Sequence, residues 1–172
     1  MIKLKNAKVV SPMSIWIPKS EYEKMIQYAC VKTPRESGGV LMGYQAADES
    51  VIVVTHVLGP GPNAIHGLFG FVPDYVSDES RVGDFFDQFN GEITYVGDWH
   101  SHPNNPSYLS WRDKRALRNI ARYEENFIDV PIMLIIGGSA GFDELRGWRV
   151  INEPLLGCFR QWKYRDEEIL YY

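Results

Sequence analysis

The chain has 172 residues, 45% hydrophobic and 23% charged, with a net charge of −4. That balance suits one soluble globular domain spanning 1–172, and an acidic chain with no run of Lys and Arg argues against nucleic acid as its partner. No stretch nears the ~20 apolar residues of a membrane span, residues 1–6 lack a signal-peptide core, and Cys30 and Cys158 form no CxxC pair, so the expected compartment is the cytosol.

Residues 13–17 read as a short strand ending at Pro18. A helix follows over 19–32, with Tyr22, Met25, Ile26 and Ala29 on one apolar stripe, Cys30 falling on that stripe as a small buried residue, and Thr33-Pro34 as its stop. Residues 39–45 and 51–58 read as a hairpin. Residues 59–63, Gly-Pro-Gly-Pro-Asn, form a turn-rich loop, and 69–72 a short strand. A helix over 74–90 turns Val82, Phe85, Phe86 and Phe89 inward. The next strand, 93–102, ends in two histidines. Ser110 reads as the N-cap of a helix whose apolar face is Leu117, Ile120 and Ala121. The apolar run 131–137 reads as a central strand and 145–152 as another; the aromatic and charged stretch 159–172 has no assignment. These elements describe an α/β domain with a mixed sheet and about three helices.

The chemistry concentrates in residues 100–113. On a strand, His100 and His102 share one face while Ser101 points away. Pro103 ends the strand, and Asp113, in the first turn of the following helix, can reach back with an oxygen. Two imidazoles and one carboxylate are a ligand set that zinc accepts with a fourth position open for water, as in catalytic sites. Such a site also needs a carboxylate to move the water's proton to the leaving amine. Glu36, just before Gly38-Gly39, is the candidate. Ser110 can cap the helix and donate to an oxyanion. Taken singly, a His-x-His is commonly chance and a Ser-x-x-Asp commonly only a cap. Together, Glu-x-Gly-Gly, His-x-His-Pro and Ser-x-x-Asp are specific.

In order and spacing these residues resemble the JAMM signature of the MPN+ metalloprotease family, over about residues 13–150. The resemblance implies a single MPN, deaminase-like α/β domain. It also implies one zinc ion held by His100, His102 and Asp113, with Glu36 as general acid/base and Ser110 as oxyanion stabiliser. The implied reaction is hydrolysis after the C-terminal glycine of a ubiquitin-like protein, with that protein or its conjugate as partner. Short stretches at 59–70 and 138–143 make the chain similar to the small prokaryotic members. Some of those serve ubiquitin-like conjugation operons or CBASS antiphage systems, and others trim sulfur carriers.

His66 reads as a loop histidine that could face substrate or solvent, and His56 as structural. Trp99 and Trp111 could line a groove or pack in the core. Asp98, one pleat behind His100, could orient a ligand histidine or simply pack. Alternatives to the isopeptidase are a non-catalytic scaffold of the same fold, or a peptidase for sulfur-carrier, cell-wall or phage polypeptides. A nucleoside deaminase is disfavoured because no Pro-Cys-x-x-Cys ligand pair exists.

Overall fold

The structure is a computed structural model that describes residues 13–122, 130–139, 141–154 and 160–172. Strand β1 (Ser14–Ile17) and helix α1 (Lys19–Lys32) lead into the hairpin β2 (Gly38–Gln45) and β3 (Val51–Val57). A two-stranded ribbon, β4 (Ile65–His66) and β5 (Phe71–Val72), precedes α2 (Tyr75–Gln88). Then come β6 (Thr94–His102), α3 (Trp111–Ala121), β7 (Ile132–Gly137), β8 (Glu144–Pro154) and β9 (Arg160–Tyr171). No helix among the described residues is long and apolar enough to cross a membrane.

The main sheet runs β1-β3-β2-β6-β7-β8-β9 and closes, because β1 also pairs in parallel with β9. Mixed α/β character with three helices agrees with the sequence reading; closure is what the sequence did not announce. The unassigned C-terminal stretch supplies the strand that closes the sheet. Its seam is tied inside by a buried pair, with the Arg149 guanidinium donating to Glu167, whose other oxygen accepts from the Met13 N–H at 3.1 Å.

β7 shows why its sequence is an unbroken apolar run. Ile132, Leu134 and Ile136 enter one core cluster with Ile15, Met25, Leu41 and Trp99, while Met133 and Ile135 enter another with Leu117 of α3 and with Leu109, which precedes that helix. A strand covered on both faces has no polar side to present. The same alternation orders β6: Trp99 faces the first cluster, so the neighbouring His100 faces the other way, toward α3.

Two expectations need correction. Cys30 is exposed, because the buried stripe of α1 runs through Met25 and Ala29 and position 30 lies about 100° further round the helix. The aromatic stripe of α2 does turn inward, but Val82, Phe85, Phe86 and Phe89 are only half-buried. The short strand expected at 69–72 occupies Phe71–Val72, and its partner β4 was not foreseen. Cys158 lies outside the described residues.

Candidate metal centre

β6 delivers both histidines from the middle of the sheet. It pairs with β2 on one side, His100 opposite Gly38, and with β7 on the other, His100 opposite Ile135 and His102 opposite Gly137. This close pairing excludes side chains at two neighbours. A Cβ at Gly38 would lie 2.5 Å from the Trp99 carbonyl oxygen, and one at Gly137 would lie 2.4 Å from that of Asn105. His100 and His102 are buried, with their Nε2 atoms 3.1 Å apart. The His102 Nδ1–H donates to the Pro106 carbonyl at 3.2 Å. A carbonyl can only accept, so the proton sits on Nδ1 and the Nε2 lone pair is left for another partner.

Asp113 arrives from the first turn of α3 through a capping box. The Ser110 N–H donates to Asp113 Oδ2 at 2.7 Å, and the Asp113 N–H donates to Ser110 Oγ at 3.3 Å. The cap fixes the carboxylate against the strand: Oδ1 is 3.3 Å from His100 Nε2 and Oδ2 is 3.6 Å from His102 Nε2. The three candidate ligand atoms lie within 4.8 Å of one another. Burial alone would raise the Asp113 carboxyl, but the bond and charge of His100, with the Ser110 bonds, hold it well below the usual carboxylate range. Burial pushes the His100 imidazole down, yet Asp113, Glu36 and Asp98 together draw it up. Burial and then the charge of His100 hold His102 down. Two nitrogens and a carboxylate kept ionised form a donor set suited to a divalent metal.

Glu36 reaches this centre from a segment that is not a strand. Two hydrogen bonds tie the following residue to β6: Ser37 N–H to Ser101 Oγ at 2.9 Å, and Ser101 N–H to the Ser37 carbonyl at 2.7 Å. Ser101 points away from the ligands, as expected, and holds the segment carrying Glu36. On the other side the Glu36 N–H donates to the Gly67 carbonyl at 2.8 Å, and the His66 Nδ1–H donates to the Glu36 carbonyl at 2.8 Å. The β4–β5 ribbon is also tied to α3, where Arg112 donates to the Phe69 carbonyl at 2.6 Å. Half-buried in this surround, the Glu36 carboxyl is pushed up to about 7 by burial, with His100 and Arg112 pulling it down and Asp113 pushing it further up.

The five residues singled out by spacing thus meet from three separate elements. Spacing did not find the residues that hold them. His66 is half-buried in β4, where it packs on Phe71 and bonds the Glu36 backbone. Ser101 and Arg112 gave no sequence signal beyond adjacency to the motif. Asp98 accepts from the Tyr95 hydroxyl at 3.0 Å, and burial raises its carboxyl to about 6. Trp99 is core, its N–H donating to the Leu58 carbonyl, whereas Trp111 is 68% exposed at the start of α3. His56 is structural, packed between Phe85 and Phe89.

The model of prokaryotic homologs of the JAB domain matches residues 18–151. A relative from Sinorhizobium fredii, "Probable metalloprotease y4qB", is 38% identical over 129 residues, covering 74% of this chain and 77% of that protein. A "CD-NTase/cGAS isopeptidase" of Escherichia coli is 34% identical over 106 residues, covering 61% of this chain and 64% of that protein. The solution structure of protein DSY2949 from Desulfitobacterium hafniense aligns over 92% of both chains with a TM-score of 0.62; at 24% identity this is a likeness of fold. The matched span takes in Glu36, both histidines, Ser110 and Asp113, and the chain belongs to the Prok-JAB family, the prokaryotic branch of the JAMM/MPN+ domains.

Proposed function

We propose that this chain is a zinc-dependent isopeptidase that hydrolyses the bond after the C-terminal glycine of a ubiquitin-like protein, freeing it from a lysine or trimming its precursor. The carrying observation is the convergence of His100, His102 and Asp113 on one point, with the half-buried carboxyl of Glu36 beside it. The relatives' names, metalloprotease and isopeptidase, support hydrolytic chemistry on a protein conjugate.

His100 Nε2, His102 Nε2 and the Asp113 carboxylate would hold one zinc ion. Zinc so held supplies Lewis acidity and a water whose pKa falls to roughly 7. Glu36 removes the proton from the attacking water and returns it to the leaving amine. A base whose affinity for the proton lies near working pH can do both. The Ser110 oxygen accepts from a backbone N–H, so its own O–H is free to donate to the oxyanion that develops on the scissile carbonyl.

The test is intact-mass spectrometry of ubiquitin-like domains carrying C-terminal extensions, incubated with wild-type protein, with Glu36→Gln, and with wild type plus a chelator. Release at the terminal glycine by untreated wild type alone is expected, with zinc still bound in Glu36→Gln. Chelator-resistant cleavage, or full turnover by Glu36→Gln, would overturn the mechanism.

A further inference from the structure

Beside the metal centre, between α3 and the β8–β9 hairpin, lies a cleft of about 640 Å³ that the chemistry above does not use. Its floor and walls are aromatic and apolar: Tyr108, Leu109, Trp148, Trp162 and Tyr164. Lys114, Lys163 and Arg165 stand on its lining. Tyr108, on the lining of the cleft, meets the ring of His102 edge-on at 6.1 Å between centroids.

The charge here runs against the charge of the whole. The chain is acidic, at −4, yet residues 112–122 hold five of its 18 Lys and Arg (Arg112, Lys114, Arg115, Arg118 and Arg122) and a single acid. That acid is Asp113, turned onto the histidines. No linear run of basic residues announces the surface; the helix and β9 assemble it. Glu153 pairs with both Lys163, at 2.6 Å, and Arg165, at 3.4 Å. Lys114 lies over the Tyr164 ring at 5.6 Å and has no carboxylate partner among the described residues. Arg112 and Lys114 are two residues apart on α3, about 200° around the helix. The ribbon that Arg112 holds and the cleft that Lys114 lines therefore flank the centre on opposite sides.

We propose that this cleft is a second docking point for the polypeptide substrate, taking a segment in which an aromatic or large apolar side chain is flanked by carboxylates. The apolar side chain fills the space between Trp148, Trp162 and Tyr164. The carboxylates meet the exposed ammonium groups of Lys114 and Lys163. This rests on the isopeptidase reading for the substrate's being a polypeptide, but binding itself needs no turnover.

The experiment uses the full chain carrying Glu36→Gln, so that nothing is cleaved. Fluorescence from Trp148 and Trp162 reports on the site. The probes are a synthetic peptide alternating Asp or Glu with Phe, its Lys-for-acid counterpart with the same Phe residues, and a thymidine oligonucleotide. The expected result is saturable binding of the acidic peptide, weakened about tenfold or more by Lys114→Glu with Lys163→Glu, both exposed positions, with zinc affinity unchanged. No saturable binding, binding indifferent to the charge reversals, or tighter binding of the basic peptide or the oligonucleotide would overturn the proposal. Acidic-peptide binding by a protein that cleaves no modifier would sink the function proposed above and leave this site standing.

Discussion

The candidate metal-ligand side and the proposed base side of this centre are built in opposite ways. His100 and His102 sit on a strand hydrogen-bonded along both edges, between β2 and β7, and Asp113 is locked by a reciprocal cap. Glu36 sits before β2, and its segment is positioned by a few single bonds from Ser101, His66 and Gly67. A metal site tolerates little displacement of its ligands, so it gains from regular structure. A proton carrier must face first the water and then the leaving amine, which a tethered segment allows. The lesson is that one site can be held rigidly on one side and by separable tethers on the other.

Substitutions can break that comparison, beginning on the rigid side. Asp113→Ala removes a candidate ligand and half of the capping box. Turnover should fall to background, with weakened zinc binding by equilibrium dialysis and about 1 kcal/mol of stability lost even without metal. Unchanged zinc affinity would take Asp113 out of the ligand set. On the tethered side, Ser101→Ala leaves the buried Ser37 N–H without its partner, at a cost of about 1–3 kcal/mol. There kcat should fall while zinc affinity holds; parallel loss of both would mean the two sides are not separable.

The pH profile sharpens the contrast. The proposed base, Glu36, could act only when ionised, so activity is expected above its pKa, and its loss is expected as pH falls through it. Burial sets that value at about 7, and a nearby dication draws it down. The acid limb of kcat/KM is therefore expected at or below about 7, and a limb well above 8 would exclude Glu36. The smallest effect is expected at His66. His66→Ala should lower kcat several-fold, and His66→Asn, which can still donate to the Glu36 carbonyl, should restore most of it. Equal behaviour of the two variants would remove His66 as a positioning residue.

Much of this was legible in the chain because the signals are local. The cap at Ser110 depends on residues three apart, the shared face of His100 and His102 on strand alternation, and the α1 limits on Pro18 and Thr33-Pro34. The unbroken apolar run of β7 announced burial on both faces. Cys30 misled because a stripe edge is only one helical position wide, and α1 buries just one line of residues there.

By itself, then, the sequence determined the helices, most of the strands and the identity of the candidate metal-site residues, since each is written in short-range spacing. Tertiary structure alone decided what spacing cannot encode. It closed the sheet through β9, whose largely charged sequence has only the short apolar run Ile169-Leu170-Tyr171 at its end to mark it. It brought Glu36 within range of the charges of His100 and Asp113, and placed His66 and Ser101 behind Glu36. It placed Lys114 of α3 beside Lys163 and Arg165 of β9 on the lining of one aromatic cleft. These pairings join residues up to about 155 positions apart, as when Met13 meets Glu167, and contacts of that range form only when the chain buries its apolar faces together.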